Sequence, residues 1–230
     1  MESVRSTIGV LLLACSAAGA PVPSGRIEGH ITLLADGKPR ADAGNVAVWI
    51  EGTRIDASEA RPAAGAPKMV SERKTFMPRV VAVPVGVPVS FPNADPIFHN
   101  VFSVSGSNHF DLGLYRSGRS KDRAFAAPGL VRVYCNIHPQ MVGYVRVVDS
   151  SFAVVTGPGG TFSFDGVPAG ERVVRAWCEA GGETSAVVRV RAREASPVAL
   201  TIDVSAFKPQ PHKNKYGQDY PPPPPDEDRY

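Results

Sequence analysis

Apolar residues along this chain fall in short, valine-rich runs broken by glycine and proline, and no long amphipathic helix pattern stands out. That punctuation predicts an all-β protein with many turns. Residues 27–34 and 46–51 read as two strands, with Asp36-Gly37 marking a turn between them. Residues 52–67, rich in Ala, Gly and Pro, read as a linker. Strand signals resume at 68–76, 80–83 and 87–91, separated by Pro78, Pro84-Val85-Gly86 and Pro92-Asn93, and continue at 98–104. An irregular stretch follows to residue 123. Residues 124–126 precede a Pro128-Gly129 turn, and strands at 130–135 and 142–148 close this set. A last group spans 152–156, 161–164, 172–178, 185–190 and 198–204. The tail, 206–230, ends in five prolines and "DEDRY". It has too little apolar surface to bury, so it is expected to be disordered or partly polyproline II.

A length of 230 residues suits one large or two small domains, and 43% hydrophobic residues suffice for a packed core. The net charge of +3 is too small to argue for nucleic acid, and no basic stripe carries interleaved aromatics. Arg5, the apolar run 8–14 and the small residues 16–20 read as a secretory signal over 1–20. The run is too short for a stable membrane span. Leu12-Leu13-Ala14-Cys15 also resembles a bacterial lipobox, although Leu13 stands where a smaller residue is usual. The expected location is periplasmic or otherwise extracytoplasmic, with lipid anchoring at Cys15 as an open alternative. Outside the cytoplasm spare thiols tend to pair, so a Cys135–Cys178 disulfide is one reading of the two remaining cysteines.

The chemistry concentrates in "VRVYCNIHPQMVGYVRVV", residues 131–148. Cys135, His138 and Met141 follow C-x2-H-x2-M spacing, so a thiolate, an imidazole and a thioether can converge from one short loop. Soft sulfur plus imidazole selects copper over zinc, calcium or magnesium. Zinc rarely takes a thioether, and structural zinc sites normally use several cysteines. A His2Cys plane with a weak axial Met is the electron-transfer arrangement, and it needs a second histidine. His99, in "FPNADPIFHNVFSVS", is framed by two strands and a turn. His30, His109 and His212 lie elsewhere. Cys135 as half of a disulfide would leave His99, His138 and Met141 unexplained. Cys178 is then a lone thiol, read as a small buried hydrophobe beside Trp177.

With these residues in view, "TFMPRVVAVPVGVPVSFPNADPIFHNVFS" followed by "APGLVRVYCNIHPQM" resembles the cupredoxin family over roughly 66–148. Pro139 after the histidine makes the loop most similar to amicyanin-type members, of the kind found among methylamine-utilisation proteins. The resemblance implies a Greek-key β-sandwich with one type 1 copper ion. It implies Cys135 as the covalent thiolate ligand, His99 and His138 completing the plane, and Met141 as the distant axial ligand. It further implies that Asn100 ties the two ligand loops together by hydrogen bonds, and that the solvent-facing edge of His138 is the electron port. The segment "SSFAVVTGPGGTFSFDGVPAGERVVRAW" resembles a carboxypeptidase regulatory-like or transthyretin-like sandwich, on Thr156, Gly160, Phe162 and Val167-Pro168-Ala169-Gly170. Gly25, Ile27, Gly37-Lys38-Pro39, Val46 and Val48 fit the opening strands of that family. The expected organisation is therefore a discontinuous small sandwich, 25–55 and 149–204, interrupted by the cupredoxin. The alternative gives 26–51 to the cupredoxin. Pairing of residues 27–34 with strands after 149 discriminates between the two.

The expected function is an exported blue copper protein that carries single electrons between redox partner proteins, with the second sandwich as a binding or spacer module. Copper carriage without electron transfer is the alternative, although Met-rich and His-rich tracts are absent. An enzyme such as a multicopper oxidase or copper nitrite reductase would need further histidine clusters. A purely structural sandwich would make the four-ligand set an accident. Phe91, Phe98, Phe102 and Phe110 are expected in the core. Arg116, Arg119, Lys121 and Arg123 form either a solvated face or a steering surface for an acidic partner.

Overall fold

Ile27, Ile31 and Leu33 are spaced by two or four residues and all point inward, which places the first apolar run on a long strand with one buried face. The computed structural model describes residues 22–54 and 66–222. The signal-like segment, its lipobox alternative and most of the 52–67 linker lie outside the described residues. In chain order the strands are β1 (Ser24–Ala35), β2 (Lys38–Pro39), β3 (Ala47–Ile50), β4 (Val70–Glu72), β5 (Thr75–Met77), β6 (Val80–Pro84) and β7 (Val89–Pro92). They continue as β8 (His99–Ser103), β9 (Phe110–Tyr115), β10 (Ser120–Arg123), β11 (Gly129–Cys135) and β12 (Val142–Val148). The last five are β13 (Ala153–Val155), β14 (Thr161–Pro168), β15 (Gly170–Cys178), β16 (Gly182–Val190) and β17 (Ala195–Asp203). One 3-10 turn, Gly106–Asn108, is the only helical element among the described residues, so none has a helix long and apolar enough to cross a membrane.

β1 pairs antiparallel with β14, Ile27 opposite Phe164, and parallel with β17, Ile31 opposite Leu200. Residues 27–34 thus pair with strands after 149 and with none from 68–148. A second sheet, in the order β13-β3-β15-β16, faces this one. Ile27, Ile31, Val48, Ile50, Phe164 and Leu200 share the core between the two sheets. Gly29 leaves room for the Phe162 ring directly opposite; a Cβ there would sit 2.1 Å from Phe162 Cζ.

Residues 68–148 form another two-layer sandwich. One sheet runs β6-β12-β11-β8-β9, with β6 and β12 parallel and the other pairs antiparallel. Facing it are the β4–β5 hairpin and the β7–β10 pair, joined by bridges at Lys68–Ser90 and Ser71–Asn93. Phe91, Val101, Phe125, Val133, Val145 and Met141 fill the space between. The stretch read as irregular holds β9 and β10. β10 is Ser-Lys-Asp-Arg, an outer strand without one apolar side chain, so alternation cannot reveal it. Phe91, Phe102 and Phe110 are buried as expected, whereas Phe98 is 51% exposed.

The two sandwiches meet through β3, all four of whose residues are buried. Val48 and Ile50 face its own core, while Ala47 and Trp49 pack with Val80, Tyr144, Val148 and Trp177. Polar contacts ring this junction. Arg79 and Glu179 form a two-point ion pair at 2.6 and 2.7 Å, and Tyr144 donates its hydroxyl to Glu179 at 2.7 Å. Glu183 accepts from both Arg146 and Arg175, and the Arg146 guanidinium stacks 4.3 Å from the Trp49 ring centroid. The tail departs from expectation. Residues 206–222 have no regular strand or helix, yet they lie against the Cys135 loop through side-chain and main-chain bonds.

Candidate metal centre

His99 opens β8 and Cys135 ends β11, and these two strands are neighbours, with Cys135 opposite Val101. The register therefore brings two residues 36 positions apart to one end of the sheet. The turn back into β12 then presents His138 and Met141. It is closed by Met141 N–H donating to His138 C=O at 3.1 Å and Cys135 N–H donating to Met141 C=O at 3.3 Å.

The result is a tight triangle of donor atoms. Cys135 Sγ lies 3.6 Å from His99 Nδ1 and 3.5 Å from His138 Nδ1, and the two Nδ1 atoms are 3.1 Å apart. All three residues are buried. A point equidistant from the three atoms lies about 2 Å from each, which matches metal–nitrogen bonds of about 2.0–2.1 Å and approaches metal–sulfur bonds of about 2.3 Å. Met141 is fully buried in the same core as Cys135. Three of the four expected ligands thus converge through named atoms, and the fourth is on the same turn.

The surroundings hold this geometry. Main-chain N–H groups of Ile137, Asn100 and His138 point at Cys135 sulfur. Burial pushes the thiol's pKa up, and these three donors pull against it by favouring the thiolate. The backbone carbonyl of Asn100 accepts Asn136 N–H at 2.9 Å, linking the segments that carry His99 and Cys135. The Asn100 side chain turns away to Asp111, at 2.6 Å.

Asp95 is the residue that the motif alone does not reveal. Its carboxylate accepts Arg73 N–H at 2.5 Å, Lys74 N–H at 2.9 Å and His99 Nε2–H at 2.8 Å. Burial by itself would raise the Asp95 pKa. The Lys74, His99 and Arg73 bonds outweigh it and hold the group ionised below its usual range. Burial lowers the pKa of His99, with Asp95 opposing. An ionised acceptor on Nε2 fixes the proton there and leaves Nδ1 as an electron-pair donor toward Cys135. Arg73 and Lys74 both sit at φ 53°, in the left-handed region that non-glycine residues avoid, and the carboxylate offsets that strain. Asn93 shapes the segment below, donating to Ile97 C=O at 2.8 Å and accepting Asp95 N–H at 3.0 Å.

Cys135 and Cys178 are both free thiols, so no disulfide joins them. Cys178 is buried in the core of the other sandwich. His30 and His109 contribute nothing to the triangle. Of the basic cluster, Arg116, Arg119 and Lys121 are exposed, Lys121 lying over the Tyr115 ring, and Arg123 is half-buried over Phe110.

No family model matches the chain, and no curated protein sequence matches it. Among solved structures, a copper-containing nitrite reductase from Thermus scotoductus SA-01 aligns at 25% identity and a TM-score of 0.36, over 41% of this chain and 27% of the reductase. The chain therefore spans only about a quarter of that enzyme. A reduced Cu(I) form of the P52G mutant of amicyanin aligns at 24% identity and a TM-score of 0.34, over 44% of this chain and 97% of amicyanin. A purple cupredoxin from Nitrosopumilus maritimus aligns at 24% identity and a TM-score of 0.32, over 35% of this chain and 98% of the cupredoxin.

Proposed function

We propose that this protein is an exported type 1 copper protein of cupredoxin type that passes single electrons between redox partner proteins. The observation that carries the reading is the buried His99–Cys135–His138 triangle, with donor atoms 3.1–3.6 Å apart and Met141 on the same turn. Two imidazoles, a thiolate and a thioether form the soft donor set that suits copper. Copper held there would supply a one-electron Cu(I)/Cu(II) couple.

The chain's own residues do the rest. Core packing around Met141 and Cys135 excludes water from the donor atoms. Asp95 fixes the ring of His99, and the three N–H groups on Cys135 sulfur stabilise its thiolate, so the ligands keep their places across a change of charge. Phe98 and Ile137, 51% and 44% exposed, are apolar side chains beside ligands on the two metal-binding segments. They suit the small, weak contacts of electron-transfer partners. Thiolate ligation releases a proton on metal uptake.

In the same reading, 66–148 is the copper domain, inserted into a small sandwich made of 25–55 and 149–204. The pairing of β1 with β14 and β17 supports the insertion. The basic hydrophobic start of the chain supports export, with a lipid anchor at Cys15 as its alternative form.

Titration of the purified chain with Cu(II), followed in the visible region, tests the proposal. An intense thiolate-to-copper band at one equivalent is expected, abolished in Cys135→Ser with the fold intact by circular dichroism. A folded wild-type chain without that band would end the type 1 reading. The band without a reversible one-electron wave in voltammetry would favour copper carriage instead.

A further inference from the structure

The C-terminal segment reads from sequence as a solvated tail, yet its polar groups meet the 135–139 loop at successive points. Tyr220 donates its hydroxyl to the carbonyl of Cys135 at 2.8 Å. Lys215 N–H donates to Asn136 Oδ1 at 3.0 Å. His212 Nε2–H donates to the carbonyl of Pro139, next to His138, at 2.7 Å. The His212 ring stacks on Tyr134 with centroids 4.0 Å apart and lies edge-on to Tyr220 at 5.2 Å. Lys215 Nζ reaches Asp111 Oδ2 at 2.7 Å, and the other oxygen of that carboxylate holds the side chain of Asn100, beside His99.

The segment is shaped for this. Asn214 folds the chain into a compact turn, its Oδ1 accepting Tyr216 N–H and Gln218 N–H at 2.9 and 3.1 Å, with Gly217 at φ 76° completing it. Pro209 and Pro211 stiffen the approach, which lowers the entropy lost on docking. The approach starts where β17 ends, in the other sandwich. Residues 207–212 form one wall of a cavity of about 870 Å³ whose other walls include Tyr134, Tyr144 and Trp177.

We infer that residues 207–220 are a built-in clamp. They bind residues 135–139 from outside, at two carbonyls and the Asn136 side chain, and hold the loop in its ligand-presenting shape, with His212, Lys215 and Tyr220 as positioning residues. The inference rests on the metal reading for its purpose but not for its mechanics. A loop that must place three ligands gains from being ordered before the metal arrives, because the ordering cost is then already met. The sandwich built on β1 and β17 anchors the origin of this strap, so the clamp also accounts for why that sandwich accompanies the metal domain.

The clamp is tested by comparing the full chain with a version ending at Ser205 and with Tyr220→Phe and His212→Ala. Amide hydrogen exchange is read on the metal-free proteins, and copper release to a competing chelator on the loaded ones. Truncation is expected to speed exchange at residues 136–141 at least tenfold while β1 and β15 stay unchanged, and to speed copper release by a similar factor. Each point variant is expected to give part of both effects. Tyr220→Phe, which frees the carbonyl of the thiolate ligand, is also expected to shift the visible band. Equal loop exchange in all versions would overturn the clamp. So would faster copper uptake without a change in exchange, which would make the segment a cover. If the full chain takes up no copper, the metal reading fails, and the exchange comparison still decides the clamp.

Discussion

Asp95 accepts three hydrogen bonds on one carboxylate, two from a strained hairpin and one from His99, a proposed ligand. In Asp95→Asn one oxygen becomes an amide NH2. That group must face either the Arg73 N–H or both the Lys74 N–H and the Nε2–H of His99, donor against donor. Partners that orient a ligating histidine are worth about 10–100-fold in metal affinity. Asp95→Asn is therefore expected to weaken copper binding by that factor in a competition titration, with the protein still folded. Unchanged affinity would show that the strands alone aim His99. The candidate ligands could be picked out in the sequence, because Cys135, His138 and Met141 occupy seven consecutive residues and His99 sits in a recognisable context. Asp95 could not. Four residues before His99 it reads as ordinary turn chemistry, and its other partners, Arg73 and Lys74, come from a hairpin 22 and 21 residues away.

Strands rather than single residues decide which runs of sequence show their structure. β1 and β15 carry enough apolar residues to be read directly, and β10 carries none. The tail misled for the opposite reason. Its docking relies on a tyrosine, a histidine and main-chain bonds, which a count of apolar residues ignores. Within β1, Gly29 shows what packing adds to pattern. A glycine inside a strand ordinarily weakens it, but here it lets β14 lay the Phe162 ring against the backbone. Gly29→Ala puts a methyl 2.1 Å from that ring. Overpacking of this kind costs about 1–3 kcal/mol, expected as a lower denaturation midpoint with an unchanged slope. Adding Phe162→Leu should recover part of the loss, since residues in direct contact are coupled. Additive effects of the two substitutions would show that the ring moves aside freely.

At the scale of the whole molecule, the two sandwiches are held by an apolar patch with charged groups at its rim, and pH acts on the rim. Glu179 receives two bonds from Arg79 and one from Tyr144 across the junction. Burial alone would raise its pKa, but the Arg79 and Tyr144 bonds win and the carboxyl is held below its ordinary range. A group depressed in the folded state stabilises fully above its unfolded value, about 4.3 for Glu. That contribution is lost as pH falls through the lower folded value. Arg79 is 43% exposed, so solvent screens the pair, and about 1–2 kcal/mol is a fair size for it. Glu179→Gln is expected to remove that much stability near neutral pH and progressively less as the medium is acidified from about pH 5 toward pH 3, measured by denaturant unfolding of both proteins across the range. A constant gap between the two curves would assign the effect to shape rather than charge. Because the strap lines the same cavity as Glu179 and Arg79, the same substitution is expected to loosen the amide protection of the 135–141 loop slightly. The junction and the copper site would then be coupled through residues 207–212, with no direct contact between Glu179 and any ligand required.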